Sequence, residues 1–302
     1  MLKKALLVGI NAYRTSPLPG CVNDAKAMHA LLRELCGFQA ADMRLLLDRE
    51  ATSQGIKDGL AWLAQGGEAP ATRVFFYAGH GHHVPDKDGD EGWSGRDEAI
   101  VPADYLENGY LIDDDLKTLY DRFPLNGNLI LLMDCCHSGT NQREPGPDGE
   151  ERLYRFLPNT YEEREAMAAA RKKFDANRRQ FIQAEMEKYR GGNVPFEKFE
   201  GIVGGLMKLF ERRHFGYQQV KENNILLAAC QDNQKATDAR MPGGNFHGAF
   251  TYHLVQLLRE AQGKMTYRDL VENLGKRLYA GKFDQKPQLA CRVGREFAAV
   301  FS

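Results

Sequence analysis

The chain has little that would mark a secreted, membrane-spanning or nucleic-acid-binding protein. It has only six cysteines in 302 residues, too few for the disulfide framework of a small secreted domain. No apolar run approaches the ~20 residues that a membrane-spanning helix needs. The formal net charge is −1, so no overall field would attract nucleic acid or an anionic membrane. We therefore expect neither nucleic acid nor a membrane among its partners.

The first residues also lack the features of a secretory leader. The apolar stretch within residues 1–11 is short, and no small-residue cleavage site follows it. We interpret this stretch as a first strand, and we expect a cytoplasmic protein with reduced thiols. A hydrophobic content of 43% is ordinary for a globular protein with a real core.

Strand-like and helix-like segments alternate along most of the chain. Short apolar runs predict strands at 5–10, 43–47, 73–77, 128–134, 225–230 and 289–293. Apolar residues at helical spacing predict helices at 22–36, 52–64, 113–123, 248–261 and 266–278. This order predicts an α/β fold, in which helices flank a mostly parallel central sheet with right-handed crossovers.

The alternation breaks between residues 143 and 222. Residues 143–149 are rich in proline and glycine, which predicts a loop. Residues 161–189 repeat a large apolar side chain every seven positions, which predicts a long amphipathic helix. A second, more apolar helix is predicted at 196–210. We interpret the whole segment as a helical insertion.

Two polar motifs follow two of the predicted strands. Cys135 and Cys136 come at the end of one strand, and His80 follows another. The carboxyl ends of parallel strands are where active sites collect, and a thiol beside an imidazole makes a nucleophile and a base. Gly79 and Gly81 flank His80, and a backbone N–H near Gly81 would help to form an oxyanion hole. The pattern does not decide which cysteine is the nucleophile.

A zinc site is the alternative for the same motifs. Imidazoles and thiols are suitable zinc ligands, and the candidates are His80, His82, His83, Cys135, Cys136 and His137. Alternate residues at a strand exit point to opposite faces, however, so these side chains would not all converge on one zinc ion. Cys36, Cys230 and Cys291 are interpreted as small core residues.

The two motifs resemble those of the caspase-like clan of cysteine peptidases, and within it the metacaspases and bacterial orthocaspases. Further matching segments are 20–24, 97–104, 112–115, 226–231 and 248–252. The resemblance covers about residues 1–142 and 223–302. It implies a single domain with the caspase-like three-layer sandwich. The large-subunit-like part is 1–142, the insertion or linker 143–222, and the small-subunit-like part 223–302.

The resemblance also implies roles for individual residues. His80 would be the general base and Cys136 the nucleophile, with Gly81 and Cys136 forming the oxyanion hole. The substrate pocket would be lined by four residues, Cys21, Asp24, Ala78 and Asp134, and Ala78 stands where the family more usually has serine. Two carboxylates in one cleft would bind arginine or lysine through charge-assisted hydrogen bonds. The expected substrates are proteins or peptides with a basic residue before the cleaved bond.

Calcium is the one metal that the resemblance suggests. The acidic segment 86–90 is not an EF-hand, because Glu91 occupies the sixth position, where glycine is needed, and a strand precedes the loop. The resemblance implies a different site, with the ligands Asp97, Asp113 and Asp114 and an acid soon after the cysteine motif. Residues 140–143 contain no acid and end in Arg143, which weighs against calcium. We expect the chemistry itself to need no cofactor.

Two functions remain open from the sequence. The favoured one is a cysteine endopeptidase that cleaves after arginine or lysine and processes itself in the insertion, with candidate basic sites at 171–173, 178–179 and 212–213. The alternative is a regulatory caspase-like protein of bacterial defence or programmed cell death. It would stay inactive until a ligand or partner binds the insertion.

Overall fold

The computed structural model describes residues 1–66, 70–85, 96–124, 127–136, 143–145, 149, 151–187, 224–231 and 234–302. The predicted helix at 196–210, the acidic segment 86–90, His137 and the basic pair 212–213 lie outside these residues. The chain forms two compact units. The first comprises Met1–His82, Glu98–Pro158 and Val220–Ser302, and the second His83–Asp97 and Asn159–Gln219. Strands and helices are numbered below over the described residues.

The first unit is built on a six-stranded sheet. In spatial order its strands are β13 (Gln288–Cys291), β10 (Ile225–Ala228), β7 (Asn128–Asp134), β3 (Ala71–Ala78), β1 (Leu2–Gly9) and β2 (Met43–Leu47). All neighbours are parallel except β13, which is antiparallel to β10. The predicted α/β fold with a mostly parallel sheet is confirmed.

Helices cover this sheet because its central strands are apolar along their length. Every residue of β3 is buried, as are the last six of β1. A parallel strand of this kind needs cover on both faces. One group of helices consists of α1 (Cys21–Leu35), α6 (Ala249–Glu260) and α7 (Tyr267–Ala280), and a second of α2 (Ser53–Ala64) and α4 (Asp113–Tyr120). Within each group neighbouring helices pack together, and α1 and α2 both pack on β1.

The pairing register brings three strand ends to one level. Gly9 of β1 pairs with Ala78 of β3, and Ala78 in turn pairs with Asp134 of β7. The residues that follow these strands therefore lie side by side at the carboxyl edge of the sheet. This edge carries both of the motifs that the sequence singled out.

A second, antiparallel sheet lies in the first unit and was not predicted. Its order is β12 (Phe246–Gly248), β11 (Thr237–Arg240), β9 (Glu151–Tyr154) and β8 (Arg143–Pro145). The predicted loop at 143–149 is wrong for residues 143–145, and two strands fall within the segment interpreted as helical. These strands have three or four residues each. Pairing with the distant β11, rather than a local apolar pattern, produces β9.

Three further short strands and a helix turn complete the first part of the chain: β4 (Gly81–Pro85), β5 (Arg96–Ile100), β6 (Leu111–Ile112) and α3 (Tyr105–Asn108). β5 and β6 are antiparallel, with Ala99 opposite Ile112.

The second unit contains α5 (Tyr161–Glu187), which confirms the predicted helix over residues 161–187. Residues 188 and 189 of the prediction lie outside the described residues. Its start is a capping box, because the Glu163 N–H donates to Thr160 Oγ1 at 3.2 Å and the Thr160 N–H to Glu163 Oε2 at 2.7 Å. No helix in the described part of the chain is long and apolar enough to cross a membrane.

Candidate active site

The imidazole of His80 is buried and oriented by a backbone carbonyl. Its Nε2 lies 2.7 Å from the carbonyl oxygen of Ser16. A carbonyl only accepts hydrogen bonds, so Nε2 carries the proton and Nδ1 is the basic nitrogen. Nδ1 has no hydrogen-bond partner among the described residues. Burial lowers the pKa of His80 to about 4, and the Ser16 carbonyl only partly offsets this, so the imidazole is neutral at pH 7.

The backbone around His80 is equally constrained. The His80 N–H donates to Tyr13 Oη at 3.0 Å, and Tyr77 Oη donates to the His80 carbonyl at 2.7 Å. A Cβ on Gly79 would collide with both tyrosine hydroxyls, which explains this glycine. Ser16 has a φ of 62°, an uncommon left-handed conformation for a residue with a side chain. This turn carries the carbonyl that orients the imidazole.

The two adjacent cysteines have different surroundings. Both are buried, but only Cys136 has a backbone N–H that donates to the Arg155 carbonyl, at 3.2 Å. Its Sγ lies 3.9 Å from the Ala236 carbonyl. Burial raises the pKa of the Cys135 thiol well above its usual range, with a further contribution from Cys136. Burial raises the pKa of the partly buried Tyr120, and Cys135 adds to this shift. Both side chains lie in the buried core, and Cys136 is the one whose backbone contacts Arg155.

The Arg155 carbonyl is bound by the two groups that the sequence assigned to the oxyanion hole. The Gly81 N–H donates to it at 2.9 Å and the Cys136 N–H at 3.2 Å. Two converging backbone donors are the usual means of stabilising a developing oxyanion. Here they bind the ordinary carbonyl of a residue from the same chain.

The Arg155 side chain fills the predicted acidic pocket. Its guanidinium is fully buried and pairs with Asp24, with Asp134 at 2.9 Å and with Asp238 at 3.3 Å. Burial alone would lower the pKa of Arg155, but Asp134, Cys21, Asp24 and Asp238 outweigh it and hold the pKa well above its usual value. A fully desolvated cation is stable only when it is paired in this way.

Each carboxylate of the pocket is oriented by further hydrogen bonds. Asp24 accepts from the Gly248 N–H at 2.9 Å and lies 2.8 Å from His247 Nδ1. Asp134 accepts from the hydroxyl of Thr251 at 2.6 Å and from its N–H at 3.1 Å. Burial raises the pKa of Asp134, and Arg155 opposes this shift. Burial likewise raises the pKa of Asp238 to about 6, again against Arg155.

Of the four residues predicted to line the pocket, two contact the Arg155 guanidinium and two lie beside it. Asp24 and Asp134 bind the guanidinium directly. Cys21 Sγ is 3.9 Å from Asp238 Oδ2, at the wall of the pocket. Ala78 is buried at the end of β3, beside Asp134 in register.

Sequence reasoning missed Arg155, Asp238 and Ser16. Only Arg155 has a signal in the sequence, as a single cation among apolar residues at 153–157.

The backbone around Arg155 is extended like a bound peptide. Its N–H donates to the Ala236 carbonyl at 3.0 Å. The next residues continue along Gly81, since Phe156 forms a parallel bridge with it and the Leu157 N–H donates to its carbonyl at 2.9 Å. Addition of an extended strand to a sheet edge is a common mode of peptide recognition. We call residues 152–157 the docked segment.

The metal predictions gain no support from this geometry. No three or more His, Cys, Asp or Glu side chains form a group that could hold a metal within the part of the chain that the structure describes. Asp113 and Asp114 begin α4, and burial raises the pKa of Asp113 to about 6, together with Glu98 and Asp114. The calcium ligands Asp97, Asp113 and Asp114 stay a prediction, and we derive no chemical step through a metal.

A caspase-like sheet with a thiol and an imidazole at adjacent strand ends defines a class, the cysteine-type peptidases. The family model for the caspase domain matches residues 2–298, and the chain belongs to this family. The protein is therefore a hydrolase that acts on proteins.

The curated relatives are metacaspases. Metacaspase-1 of Scheffersomyces stipitis is 31% identical over 304 residues, which cover 96% of this chain and 70% of that protein. Metacaspase-1 of Meyerozyma guilliermondii is 32% identical over 302 residues, with 95% and 69% covered. A crystal structure of a Geobacter sulfurreducens protein superposes with a TM-score of 0.64 over 100% of this chain and 99% of that one. Its identity of 24% supports a common fold alone.

Proposed function

We propose that this protein is a cysteine endopeptidase that cleaves after arginine or lysine, with Cys136 as nucleophile and His80 as general base. One observation carries the proposal. The carbonyl of Arg155 accepts from the Gly81 and Cys136 N–H groups while its guanidinium lies among Asp24, Asp134 and Asp238. A substrate residue before the cleaved bond would need both sets of contacts at once.

In the proposed reaction the thiol of Cys136 leaves its contact with the Ala236 carbonyl and gives its proton to His80 Nδ1. The sulfur attacks the carbonyl carbon, and the oxyanion is stabilised by the N–H groups of Gly81 and Cys136. The imidazolium then protonates the leaving amine as the C–N bond breaks. Water, deprotonated by the same nitrogen, attacks the thioester, and the carboxylic acid and the free thiol are released.

The geometry favours arginine over lysine. The guanidinium reaches Asp134 with Nη1 and both Asp24 and Asp238 with Nη2, so its fork bridges three carboxylates. A lysine ammonium is a single point charge and satisfies fewer of them. An acidic side chain would add a fourth negative group to a buried site, and we expect no cleavage after aspartate.

We also propose self-processing, at the Arg155–Phe156 bond. The sequence-based candidates at 171–173 and 178–179 lie inside α5, and a helix must unwind before a peptidase can bind it as an extended strand. The Arg155–Phe156 bond is already extended and already bound. Cleavage there would give fragments 1–155 and 156–302.

The test is incubation of the purified wild type beside Cys136→Ala and the matched control Cys135→Ala, followed by mass spectrometry. We expect the two fragments from the wild type and from Cys135→Ala, and an intact chain from Cys136→Ala. Fluorogenic peptides ending in arginine, lysine or aspartate then test specificity in the same three proteins. Cleavage that survives in Cys136→Ala, or a preference for aspartate, would overturn the proposal.

The occupancy of the acidic pocket by Arg155 is also relevant to the alternative function, a regulatory protein that stays inactive until it is triggered. A protein whose own segment fills its site is latent until that segment is cut or displaced, and burial of His80 disfavours the imidazolium in this state. Iodoacetamide labelling separates the two functions. We expect alkylation of Cys136 to accelerate once the docked segment is cut; a Cys136 that stays inert, with no cleavage, would favour a purely regulatory protein.

We further propose the cytoplasm as its location. All six cysteines are free, as expected in a reducing compartment.

A further inference from the structure

We infer a second subsite for a basic residue, three positions before the arginine that precedes the cleaved bond. The inference rests on the proposed function, because it treats the docked segment as a substrate. Its occupant in the structure is Arg152, which is only 6% exposed. The subsite is formed by the end of α7 and the residues that follow it, with Phe283 as its aromatic wall.

The contacts of Arg152 are those of a cation site. Its guanidinium carbon lies 4.4 Å from the centre of the Phe283 ring, within the range of a cation–π interaction. Nη1 donates to the carbonyl of Lys282 at 2.5 Å and Nη2 to the carbonyl of Gly281 at 3.4 Å. Carbonyls at the C-terminal end of a helix lack intrahelical partners and carry partial negative charge.

The subsite is built by the small-subunit-like part of the chain and does not depend on Arg152 for its shape. The Phe283 N–H donates to the backbone carbonyl of Leu278 at 2.9 Å, and the Lys282 N–H donates to the backbone carbonyl of Tyr279 at 3.0 Å. A side chain at Gly281 would press on the Phe283 ring at 2.9 Å. The ring also contacts His253, with 6.2 Å between ring centres.

The register of the strands links this subsite to the acidic pocket. Arg152 is opposite Ala239 and Tyr154 opposite Thr237 on β11, so a peptide paired with β11 places its residues at fixed distances along the strand. When arginine is in the acidic pocket, the residue three positions earlier faces Phe283. The predicted substrate class is therefore Arg-x-x-Arg, cut after the second arginine.

We expect the two substrate positions between the arginines to be less selective. Leu153 is buried, and Tyr154 lies under the Lys235 ammonium, 4.4 Å from the ring centre. We expect an apolar or aromatic preference there and a smaller effect of substitution than at the two basic positions.

The test compares two fluorogenic peptides, Arg-Leu-Tyr-Arg and Ala-Leu-Tyr-Arg, on the self-cleaved wild type and on Arg155→Ala, in which the docked segment has lost its anchor. A cation–π contact together with hydrogen bonds to two carbonyls predicts a kcat/KM about tenfold to a hundredfold higher for the first peptide. Phe283→Leu, which keeps an apolar side chain but removes the ring, should reduce the ratio severalfold. The matched control is Phe297→Ala, because Phe297 contacts Arg268 instead.

Self-cleavage supplies a second readout that needs no added peptide. Arg152→Ala should slow the appearance of the 1–155 fragment about tenfold or more, and Arg152→Lys should restore part of the rate, because an ammonium retains the charge but not the fork. Thermal melting of each variant separates this effect from unfolding. Equal kcat/KM for the two peptides, or equal self-cleavage in Arg152→Ala, would overturn the subsite alone. Failure to cleave either peptide would instead overturn the proposed function.

Discussion

Replacing Arg155 with alanine removes the guanidinium that lies among Asp24, Asp134 and Asp238. All four side chains are fully buried. Breaking a buried ion pair by removing one partner typically costs about 3–5 kcal/mol, because the remaining charge is left desolvated. We expect a loss of this size in the free energy of unfolding at pH 7.5.

The pH dependence of this loss has a definite sign. Burial raises the pKa of both Asp134 and Asp238, and Arg155 opposes the shift in each case. Without the guanidinium these pKa values rise further above those of the unfolded chain. A group with a raised folded pKa favours the folded state while it is protonated and loses that contribution as the pH rises through its pKa. The destabilisation by Arg155→Ala should therefore be smaller at pH 5 than at pH 7.5.

The assay is urea unfolding at both pH values, followed by circular dichroism. Both proteins should carry Cys136→Ala, so that self-cleavage does not alter the chain during the measurement. The matched control is Arg268→Ala, since the Arg268–Glu272 pair is 56% and 54% exposed and such pairs contribute less than about 1 kcal/mol. A loss no larger than that of the control, or an equal loss at both pH values, would refute the ion-pair interpretation of this site.

Two further substitutions test the walls of the pocket. Gly248→Ala would place a Cβ against Asp134 and Arg155, and we expect a lower melting temperature and slow self-cleavage. Gly275→Ala is its control, since a Cβ there meets only Pro287 at 4.0 Å and helix propensity should stabilise the protein by up to about 1 kcal/mol. Asp238→Asn removes a carboxylate whose pKa is raised to about 6, so its stability relative to wild type should be higher at pH 7.5 than at pH 5. The same variant should cleave arginine peptides with a raised KM, and an unchanged KM would contradict a role for Asp238 in the pocket.

The central sheet was predictable because its signals are local. β3 and β7 are apolar runs, and the predicted strands at 73–77 and 128–134 lie within the observed Ala71–Ala78 and Asn128–Asp134. Helix starts were predictable where a cap is present. Thr52 Oγ1 accepts from the Gly55 N–H at 2.9 Å, and Thr266 Oγ1 accepts from the Asp269 N–H at 3.1 Å. Caps of this kind depend on residues three positions apart and so leave a pattern in the sequence.

The antiparallel sheet was missed because its signals are not local. β9 has four residues, and it is a strand because β11, more than 80 residues later, pairs with it. Composition at 143–149 favoured a loop, and three of these residues are nevertheless a strand beside β9. Strands of three or four residues are too short to show the apolar run of a long buried strand, so the sequence pattern alone does not reveal them.

The family, the parallel sheet and the two strand exits that carry His80 and Cys136 were all predictable from the sequence, because each depends on residues close together in the chain. The identity of the side chain that fills the acidic pocket became visible in the folded chain alone. Asp24, Asp134 and Asp238 come from a helix and from strands of two different sheets, and Arg155 reaches them from a segment that composition had assigned to an insertion. A buried cation must be paired with carboxylates, and these come from segments that are far apart in the chain. Their spacing in the sequence therefore does not predict the pairing.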